Sequence, residues 1–308
     1  MYKSGLFIFV FLFVNDLIAQ KNPIELGNVH WLRDLKEAQV KSVESGKAIF
    51  ILFQEIPGCA TCQRYGNEVM KHSLIVDVVE NEFIPLAIYN NKGGEDGRVL
   101  KLFKEPAWNN PVARIVDADL RDILPRLDGG YSPKQVTSYM INALKAQNKT
   151  IPNYLTLLQQ SFTDNIKTIT FGMYCFWEGE SKLGSLDGVI STQPGFVNGN
   201  EVVKVNFDPN YLSPEKLIST ANKQNCTSQI YAESSDVHTL QGINKNVKEI
   251  SAFRPDQEPQ YHLLHSKFRY VQMLPIQASR VNSALALGAD ATLFLSPTQL
   301  KGIINSFK

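Results

Sequence analysis

The stretch AIFILFQEIPGCATC, residues 48–62, decides how the first half of the chain folds. Its first six residues are all apolar, a short run that is typical of a buried strand. Pro57-Gly58 then marks a turn, and the residues from Cys62 to about Glu80 follow a helical pattern. The sequence therefore predicts a strand, a turn and a helix, with two cysteines where the turn meets the helix.

The elements on either side of this stretch complete an α/β pattern. An amphipathic helix is predicted over Val29–Val43, and two further strands over Phe83–Tyr89 and Pro111–Val116. Ser132-Pro133, followed by Gln135, is a capping box with proline at the first helical position, and it opens a helix to about Ala146. This order of strands and helices is typical of a domain in which helices cover a central sheet.

Cys59 and Cys62 are candidate catalytic residues because thiol–disulfide exchange needs an accessible thiolate and a second thiol. A cysteine at a helix N-terminus has a lowered pKa, so Cys59 is the expected nucleophile and Cys62 the resolving thiol. A structural disulfide and half of a zinc site are the alternatives. The spacing is too tight to connect distant segments, and further Cys or His zinc ligands are not nearby, so no metal is expected.

Residues 30–147 resemble the thioredoxin superfamily in their strand, Cys-x-x-Cys and helix, and in Asn110-Pro111 before a later strand. The resemblance implies that Pro111 is cis and packs against the cysteine pair, where it would contact substrate. The lead-in to Cys59 resembles exported thioredoxin-like (seleno)proteins of bacteria. Gly58 stands where the superfamily has tryptophan, and Phe53 stands where it has a buried acid.

A second cysteine motif lies at Gly172–Glu180, which reads GMYCFWEGE. Its Cys175-Phe176-Trp177 core resembles the signature of peptide methionine sulfoxide reductase A, and the resemblance extends over about Thr168–Tyr231. It implies that Cys175 attacks the sulfoxide sulfur and becomes a sulfenic acid, which a resolving thiol converts to a disulfide.

The same resemblance implies roles for other residues. Phe176 and Trp177 would surround the substrate methyl group, and Glu201 would protonate the departing oxygen. Cys226 stands where the family has a tyrosine, so it is a candidate resolving thiol for Cys175. A degenerate domain with Cys175 buried in its core, and a permanent Cys175–Cys226 disulfide, are the alternatives.

These motifs divide the chain into five predicted segments of α/β plus α+β class. Residues 1–19 are predicted to be a signal peptide, residues 20–147 a thioredoxin-like domain and residues 148–164 a linker. Residues 165–235 are predicted to be a ferredoxin-like methionine sulfoxide reductase A-like domain, and residues 236–308 a helical tail. The signal peptide is predicted from one lysine, the apolar run Gly5–Val14 and a small residue, Ala19, before the expected cut. The run is too short to span a bilayer, so a permanent anchor is the weaker interpretation, and we expect a periplasmic or secreted protein.

Composition narrows the classes of partner. The 308 residues carry 31 Lys and Arg against 30 Asp and Glu, and no basic cluster stands out, so neither nucleic acid nor an anionic membrane is the expected partner. The expected partners are thiol or disulfide proteins, methionine sulfoxide and an unidentified thiol electron donor, without a cofactor.

The sequence thus predicts an exported thiol–disulfide redox enzyme, in which the first domain reduces the second. The rival hypotheses are a general oxidoreductase whose second domain binds clients, a Cu(I)-binding protein using Cys175, Cys226 and a histidine of the tail, and a non-catalytic structural partner.

Overall fold

The computed structural model describes residues 22–224 and 227–305. The expected signal peptide, residues 1–19, and the candidate thiol Cys226 lie outside the described residues. Within the described ranges, no helix combines the length and apolar character needed to cross a membrane.

The first domain is a four-stranded sheet covered by helices on both faces. Its elements in chain order are α1 (Leu35–Ser45), β1 (Ile49–Gln54), α2 (Ala60–Glu68), α3 (Ser73–Glu82), β2 (Ile84–Tyr89), α4 (Gly94–Phe103), β3 (Val112–Val116), β4 (Leu127–Asp128), α5 (Pro133–Ala146) and α6 (Asn153–Ser161). The strands lie in the order β2-β1-β3-β4, with β1 parallel to β2 and antiparallel to β3. This is a thioredoxin-like fold, as the sequence predicts.

Burial explains why β1 occupies the centre of this sheet. All six of its residues are buried. Phe50 and Leu52 point into the core under α2, α3, α5 and α6, while Ile49, Ile51 and Phe53 point into the core under α1 and α4. A strand that is buried on both faces needs a continuous apolar run rather than alternation, which is the pattern seen in the sequence.

Three expectations about the first domain need correction. The first helix begins at Leu35 rather than Val29, because the Asp34 side chain caps it by accepting from the Glu37 N–H. The helix expected from Cys62 to about Glu80 is two helices, α2 and α3, and the segment between the second and third predicted strands contains a helix, α4, that was not predicted. The capping box at Ser132 is confirmed, with its two reciprocal hydrogen bonds to Gln135.

The expected linker, residues 148–164, is wrong as a description of this segment. It contains α6, whose Tyr154, Leu155 and Leu158 are buried in the core of the first domain. Leu157, on the same helix, is buried instead against Ile190 and Ile276 of the second half of the chain. Apolar residues at helical spacing form a helix that packs on two sides, so α6 contacts both domains.

The second domain is built on a six-stranded sheet. Its elements in chain order are β5 (Lys167–Gly172), α7 (Phe176–Gly184), β6 (Val189–Val197), β7 (Asn200–Phe207), α8 (Pro214–Lys223), β8 (Gln229–Ala232), α9 (Ser234–Gln241), β9 (Val247–Glu249), β10 (Phe253–Pro255), α10 (Tyr261–Leu264), α11 (Pro275–Ala286) and α12 (Pro297–Asn305). The strand order is β10-β6-β7-β5-β8-β9. From β5 to β8 the topology is β-α-β-β-α-β, the ferredoxin-like arrangement.

The segment 236–308, expected to be a helical tail, also contributes two strands. β9 pairs with β8, and β10 pairs with β6, so this segment supplies both edges of the second sheet. Its helices do cover the domain, since α11 packs against α7 and β6. The two strands have only three residues each, too few to show an alternating pattern in the sequence.

Replacing Gly66 by alanine is expected to destabilise the protein by about 3 kcal/mol through overpacking. A Cβ at this position in α2 would lie 2.0 Å from the carbonyl oxygen of Ile24, a backbone atom that has no rotamer to escape through. Gly97→Ala in α4 is the matched control, because its Cβ would meet only the Lys92 oxygen at 3.7 Å. Urea unfolding at 25 °C measures the free energy of unfolding of both variants, and equal values would contradict the prediction.

Candidate functional site

The Cys59–Cys62 centre lies where β1 ends and α2 begins. Cys59 is the N-cap residue of α2 and is exposed, whereas Cys62 is fully buried one turn further on. The two sulfur atoms are 3.6 Å apart, so the pair is in its dithiol form. The structure brings both predicted cysteines together with one accessible thiol, as thiol–disulfide exchange requires.

The two thiols differ in acidity. The backbone N–H of Cys62, aided by its thiol and by the N–H of Thr61, lowers the pKa of Cys59 from 9.0. Burial, together with the neighbouring Cys59, raises the pKa of Cys62 to about 12. Cys59 therefore forms the thiolate more readily, which supports the predicted order of a Cys59 nucleophile and a Cys62 resolving thiol.

A buried carboxylate lies beside this centre, but it does not come from the strand before it. Glu25, in a short 3-10 helix, is 3% exposed, and its Oε1 accepts from the Gly58 N–H at 2.7 Å. The side chain of Gln54 donates to the carbonyl oxygens of Glu25 and Cys62 at 3.0 and 3.4 Å. Sequence reasoning missed Glu25, because no local spacing links it to the cysteines.

Close packing explains the glycine before Cys59. A Cβ on Gly58 would lie 2.6 Å from the Cys62 Cβ and 2.5 Å from the Glu55 carbonyl oxygen. No larger residue fits there without displacing the turn, so the tryptophan of the superfamily has no room. The side chain is absent for a steric reason that the sequence alone does not show.

The loop before β3 completes the centre. The Asn110–Pro111 peptide bond is cis, as the resemblance implies. The Cys62 thiol donates to Asn110 Oδ1 at 2.7 Å, so this loop contacts the resolving cysteine directly. Whether Pro111 contacts substrate stays a prediction.

Glu55, Cys59 and Cys62 form a group of potential metal ligands within the described part of the chain. Their ligand atoms all lie within 4.8 Å of one another. A structural zinc site is closed by four ligands, so these three donors would leave a position open. The arrangement is consistent with a dithiol that works by exchange.

At neutral pH, iodoacetamide is expected to modify Cys59 at least roughly 100-fold faster than Cys62 in the folded, reduced protein, because only thiolates react. As the pH rises, the Cys59 rate should reach its plateau with a midpoint below 9, while Cys62 stays unreactive to about pH 10. Peptide mass spectrometry after timed quenching measures each site. Faster modification of Cys62 would contradict the assigned roles.

The second centre lies in the second domain, where β5 leads into α7. Cys175 is half-buried and is the N-cap residue of α7. Glu201, at the start of β7, accepts from the Phe176 N–H through Oε2 at 2.9 Å, and its carbonyl accepts from the Met173 N–H. The structure therefore places the predicted acid and the predicted nucleophile at the same helix end.

The two predicted cage residues have different surroundings. Phe176 is only 6% exposed and packs in the domain core, with its ring 5.3 Å from that of Phe196. Trp177 is half-buried, and Tyr261 of α10 stacks on it with the ring centroids 4.1 Å apart. The Trp177 Nε1 donates to Asp256 at 3.3 Å. Burial leaves Phe176 little surface for substrate, so of the two rings Trp177 is the better placed.

A cavity of about 370 Å³ opens beside Cys175. Its apolar wall is formed by Trp177, Tyr261 and Leu287, and its polar wall includes Glu178 and His262. It is large enough for a thioether side chain, and an apolar wall with a few polar groups is typical of small-ligand sites. Tyr261 and His262 belong to the tail, whose contribution the sequence did not predict.

Glu180 anchors this part of the tail to α7. It is fully buried, and its Oε1 accepts from the Gln260 N–H at 3.1 Å. Burial raises the pKa of its carboxyl from 4.5 to about 7, against the opposing effect of the Gln260 and Tyr261 N–H groups. The ionised form is thus disfavoured where the tail meets the helix.

Replacing Glu180 by glutamine is expected to stabilise the protein at pH 8 by up to about 3 kcal/mol, while having little effect below pH 5. A carboxyl whose folded-state pKa exceeds its unfolded-state value binds a proton on folding, so the wild type loses stability as the pH rises from about 4.5 through 7. Glutamine keeps an acceptor oxygen but never ionises.

Thermal unfolding at pH 5 and pH 8 tests this. Glu178→Gln is the control, since Glu178 is exposed and pairs with Lys182 one turn away, so its replacement should change stability little at either pH. A destabilising effect of Glu180→Gln at pH 8 would refute the argument.

Comparisons with known proteins support the second centre. The chain is 30% identical over 128 residues to the mitochondrial peptide methionine sulfoxide reductase of Bos taurus, covering 35% of this chain and 50% of that protein. It is 35% identical over 71 residues to the peptide methionine sulfoxide reductase MsrA of Methanococcus maripaludis, covering 18% of this chain and 45% of that protein. The chain spans about half the length of the curated relatives it matches, and no protein-family model matches it.

Among solved structures, the chain is similar to a DsbH oxidoreductase at 20% identity and a TM-score of 0.33, covering 41% of this chain and 91% of that one. The sequence matches, together with the strand topology described above, show a methionine sulfoxide reductase A-like domain that follows a domain of thioredoxin-like fold.

Proposed function

We propose that this chain is a methionine sulfoxide reductase with its own dithiol domain, in which Cys175 reacts with the sulfoxide and Cys59–Cys62 supplies electrons. The observation that carries the proposal is that the Glu201 carboxylate accepts from the N–H of Phe176, the residue after Cys175, at the N-terminus of α7. This position lies within the segment similar to the named reductases. The cavity beside Cys175 supports it, because its apolar wall suits a thioether.

In the proposed reaction, the Cys175 thiolate attacks the sulfur of methionine sulfoxide. This attack forms an S–S bond while Glu201 protonates the sulfoxide oxygen. The hydroxyl group then moves from the substrate sulfur to the Cys175 sulfur as the S–S bond breaks, which releases methionine and leaves Cys175 as sulfenic acid. Glu201 is hydrogen-bonded to the N–H of Phe176, which is the next residue after the nucleophile. It therefore occupies a position from which it can act on an atom bound at Cys175.

Regeneration of Cys175 needs two electrons. Cys226 stays a candidate for the thiol that first converts the sulfenic acid to a disulfide, and the Cys59–Cys62 dithiol is the proposed reductant that follows. The exposed Cys59, with its lowered pKa, is the thiol suited to attack either species. An external thiol donor must then reduce the resulting Cys59–Cys62 disulfide.

The test is turnover of a methionine sulfoxide peptide by the purified chain with dithiothreitol as donor, with product methionine measured by chromatography. We expect multiple turnovers above a blank that contains dithiothreitol alone. If no methionine forms while insulin disulfides are still reduced, the chain is a general thiol oxidoreductase and the proposal fails. Each diastereomer of the sulfoxide is assayed separately, since a site with a single oxygen-facing acid should prefer one.

We propose further that the protein acts outside the cytosol, on the basis of the signal-like residues 1–19. Expression of the full chain in a bacterial host, followed by cell fractionation and N-terminal mass determination, tests this. Export predicts a periplasmic product that begins at Gln20. A product that keeps Met1 and stays in the cytosol would refute it.

A further inference from the structure

The second centre lies far from the surface that joins the two domains. The near end of β5, at Lys167, pairs with Phe207. The next residue, Asp208, lines a cavity of about 380 Å³ together with Gln159 and Phe162 of the first domain. Cys175 follows the other end of this strand, and the five steps between its six residues, at about 3.3 Å each, put that end roughly 17 Å away.

Helix α11 gives a second, independent measure of the same separation. Ile276, in its first turn, packs against Leu157 of α6, at the domain junction. Its last residue, Ala286, lines the cavity that contains Cys175. The ten steps from Ile276 to Ala286, at a rise of about 1.5 Å each, correspond to about 15 Å. Both lengths therefore place Cys175 on the side of the second domain that is remote from the first domain.

Cys59 lies on the other side of α6. This helix buries Leu155 and Leu158 in the core that also contains Tyr65 and Val69 of the α2 region, and it buries Leu157 against the second domain. Since packed helix axes are about 8–10 Å apart, α6 adds its own thickness to the separation. The two cysteines therefore belong to domains on opposite sides of α6, and Cys175 lies about 15 Å from the junction, whereas a disulfide bond is about 2 Å long.

Buried contacts hold the two domains in the arrangement that separates the centres. Besides the apolar contacts of Leu157, the buried Ser296 of the tail donates to the buried Asp77 of α3. Both centres instead present an aromatic side chain to solvent at their rims. Trp108, two residues before Asn110, is 83% exposed, and Tyr174, next to Cys175, is 99% exposed.

From this geometry we infer that electrons pass between two copies of the chain: the Cys59–Cys62 dithiol of one copy reduces Cys175 of another. The inference rests on the proposed function. The Cys59 thiolate of the first copy attacks the sulfur of the Cys175 sulfenic acid in the second, and the S–O bond breaks with release of water. Cys62 then attacks the Cys59 sulfur, which frees the Cys175 thiol and leaves a Cys59–Cys62 disulfide. One dithiol supplies the two electrons that one sulfenic acid consumes.

A mixing experiment with two variants tests the inference. The acceptor, Cys59→Ser with Cys62→Ser, keeps the second centre, and the donor, Cys175→Ser, keeps the first. Both are reduced with dithiothreitol, which is then removed, and excess methionine sulfoxide is added. Acceptor alone is expected to form one methionine per chain, and donor alone none. The equimolar mixture is expected to form two methionines per acceptor chain, a doubling of the yield.

The wild type provides the second readout. Without free reductant it should form two methionines per chain, and the rate of the second should rise in proportion to protein concentration. A mixture that stops at one methionine, with a second wild-type turnover that is independent of concentration, would overturn transfer between copies and establish transfer within one chain. If the acceptor alone forms no methionine, the proposed function itself fails, and the inference fails with it.

Discussion

Replacing Cys175 by serine is expected to abolish methionine sulfoxide reduction, with a fall of roughly 10³-fold or more in turnover, the size typical of removing a nucleophile. The serine hydroxyl is close in size to the thiol but does not ionise near neutral pH, so the attack on sulfur is lost while the N-terminus of α7 keeps its fold. Peptide turnover with dithiothreitol as donor measures the effect. Reduction of insulin disulfides by the same variant should be unchanged, because that reaction uses the other centre.

Cys59→Ser is the control for this result. Dithiothreitol can reduce Cys175 directly, so the control should keep turning over the sulfoxide when that reagent is present. A Cys175→Ser variant that retains wild-type turnover would show that another thiol performs the reaction. If both variants lose turnover, dithiothreitol acts only through Cys59, and the second centre is closed to small thiols.

Replacing Cys59 by serine is expected to abolish insulin disulfide reduction entirely, whereas Cys62→Ser should trap a mixed disulfide with the substrate. Cys59 is exposed and has a lowered pKa, while Cys62 is buried and has a pKa raised to about 12. Only Cys59 can therefore make the first attack on the substrate disulfide. Without Cys62, no neighbouring thiol resolves the first product. Non-reducing electrophoresis and mass spectrometry detect the trapped species.

Thr61→Ser is the matched control, since it keeps a hydroxyl between the two cysteines and should retain wild-type activity. A trapped adduct on Cys62 in the Cys59→Ser variant would reverse the assigned order. Equal residual activity of both cysteine variants would indicate that insulin is reduced at Cys175 instead.

The two centres share one local design. In each, a cysteine caps the N-terminus of a helix, and a carboxylate from a distant segment accepts from the backbone N–H of the adjoining residue. Glu25 binds the N–H of Gly58 beside Cys59, and Glu201 binds the N–H of Phe176 beside Cys175. Free N–H groups at a helix start attract anions, so Glu201, bound to the first residue of α7, occupies an electrostatically favourable position.

Local features of the chain could be predicted from the sequence because they depend on residues close together in it. The apolar run of β1, the turn at Pro57-Gly58 and the cysteine at the start of α2 lie within fifteen residues, residues 48–62. The capping box at Ser132 depends on a spacing of three. The pattern of these elements was sufficient for the fold class, and together with the motif around Cys175 it identified two cysteines that lie at helix starts.

Only the tertiary structure decided which distant groups meet at each centre. Glu25 reaches Gly58, Tyr261 stacks on Trp177, and α6 joins the domains through Leu157, although none of these contacts follows from local spacing. Such contacts depend on how elements pack, since close packing selects one arrangement among many that share the same local pattern. The sequence therefore determined what each centre is made of. Packing determined what surrounds each centre and how far apart the two centres lie.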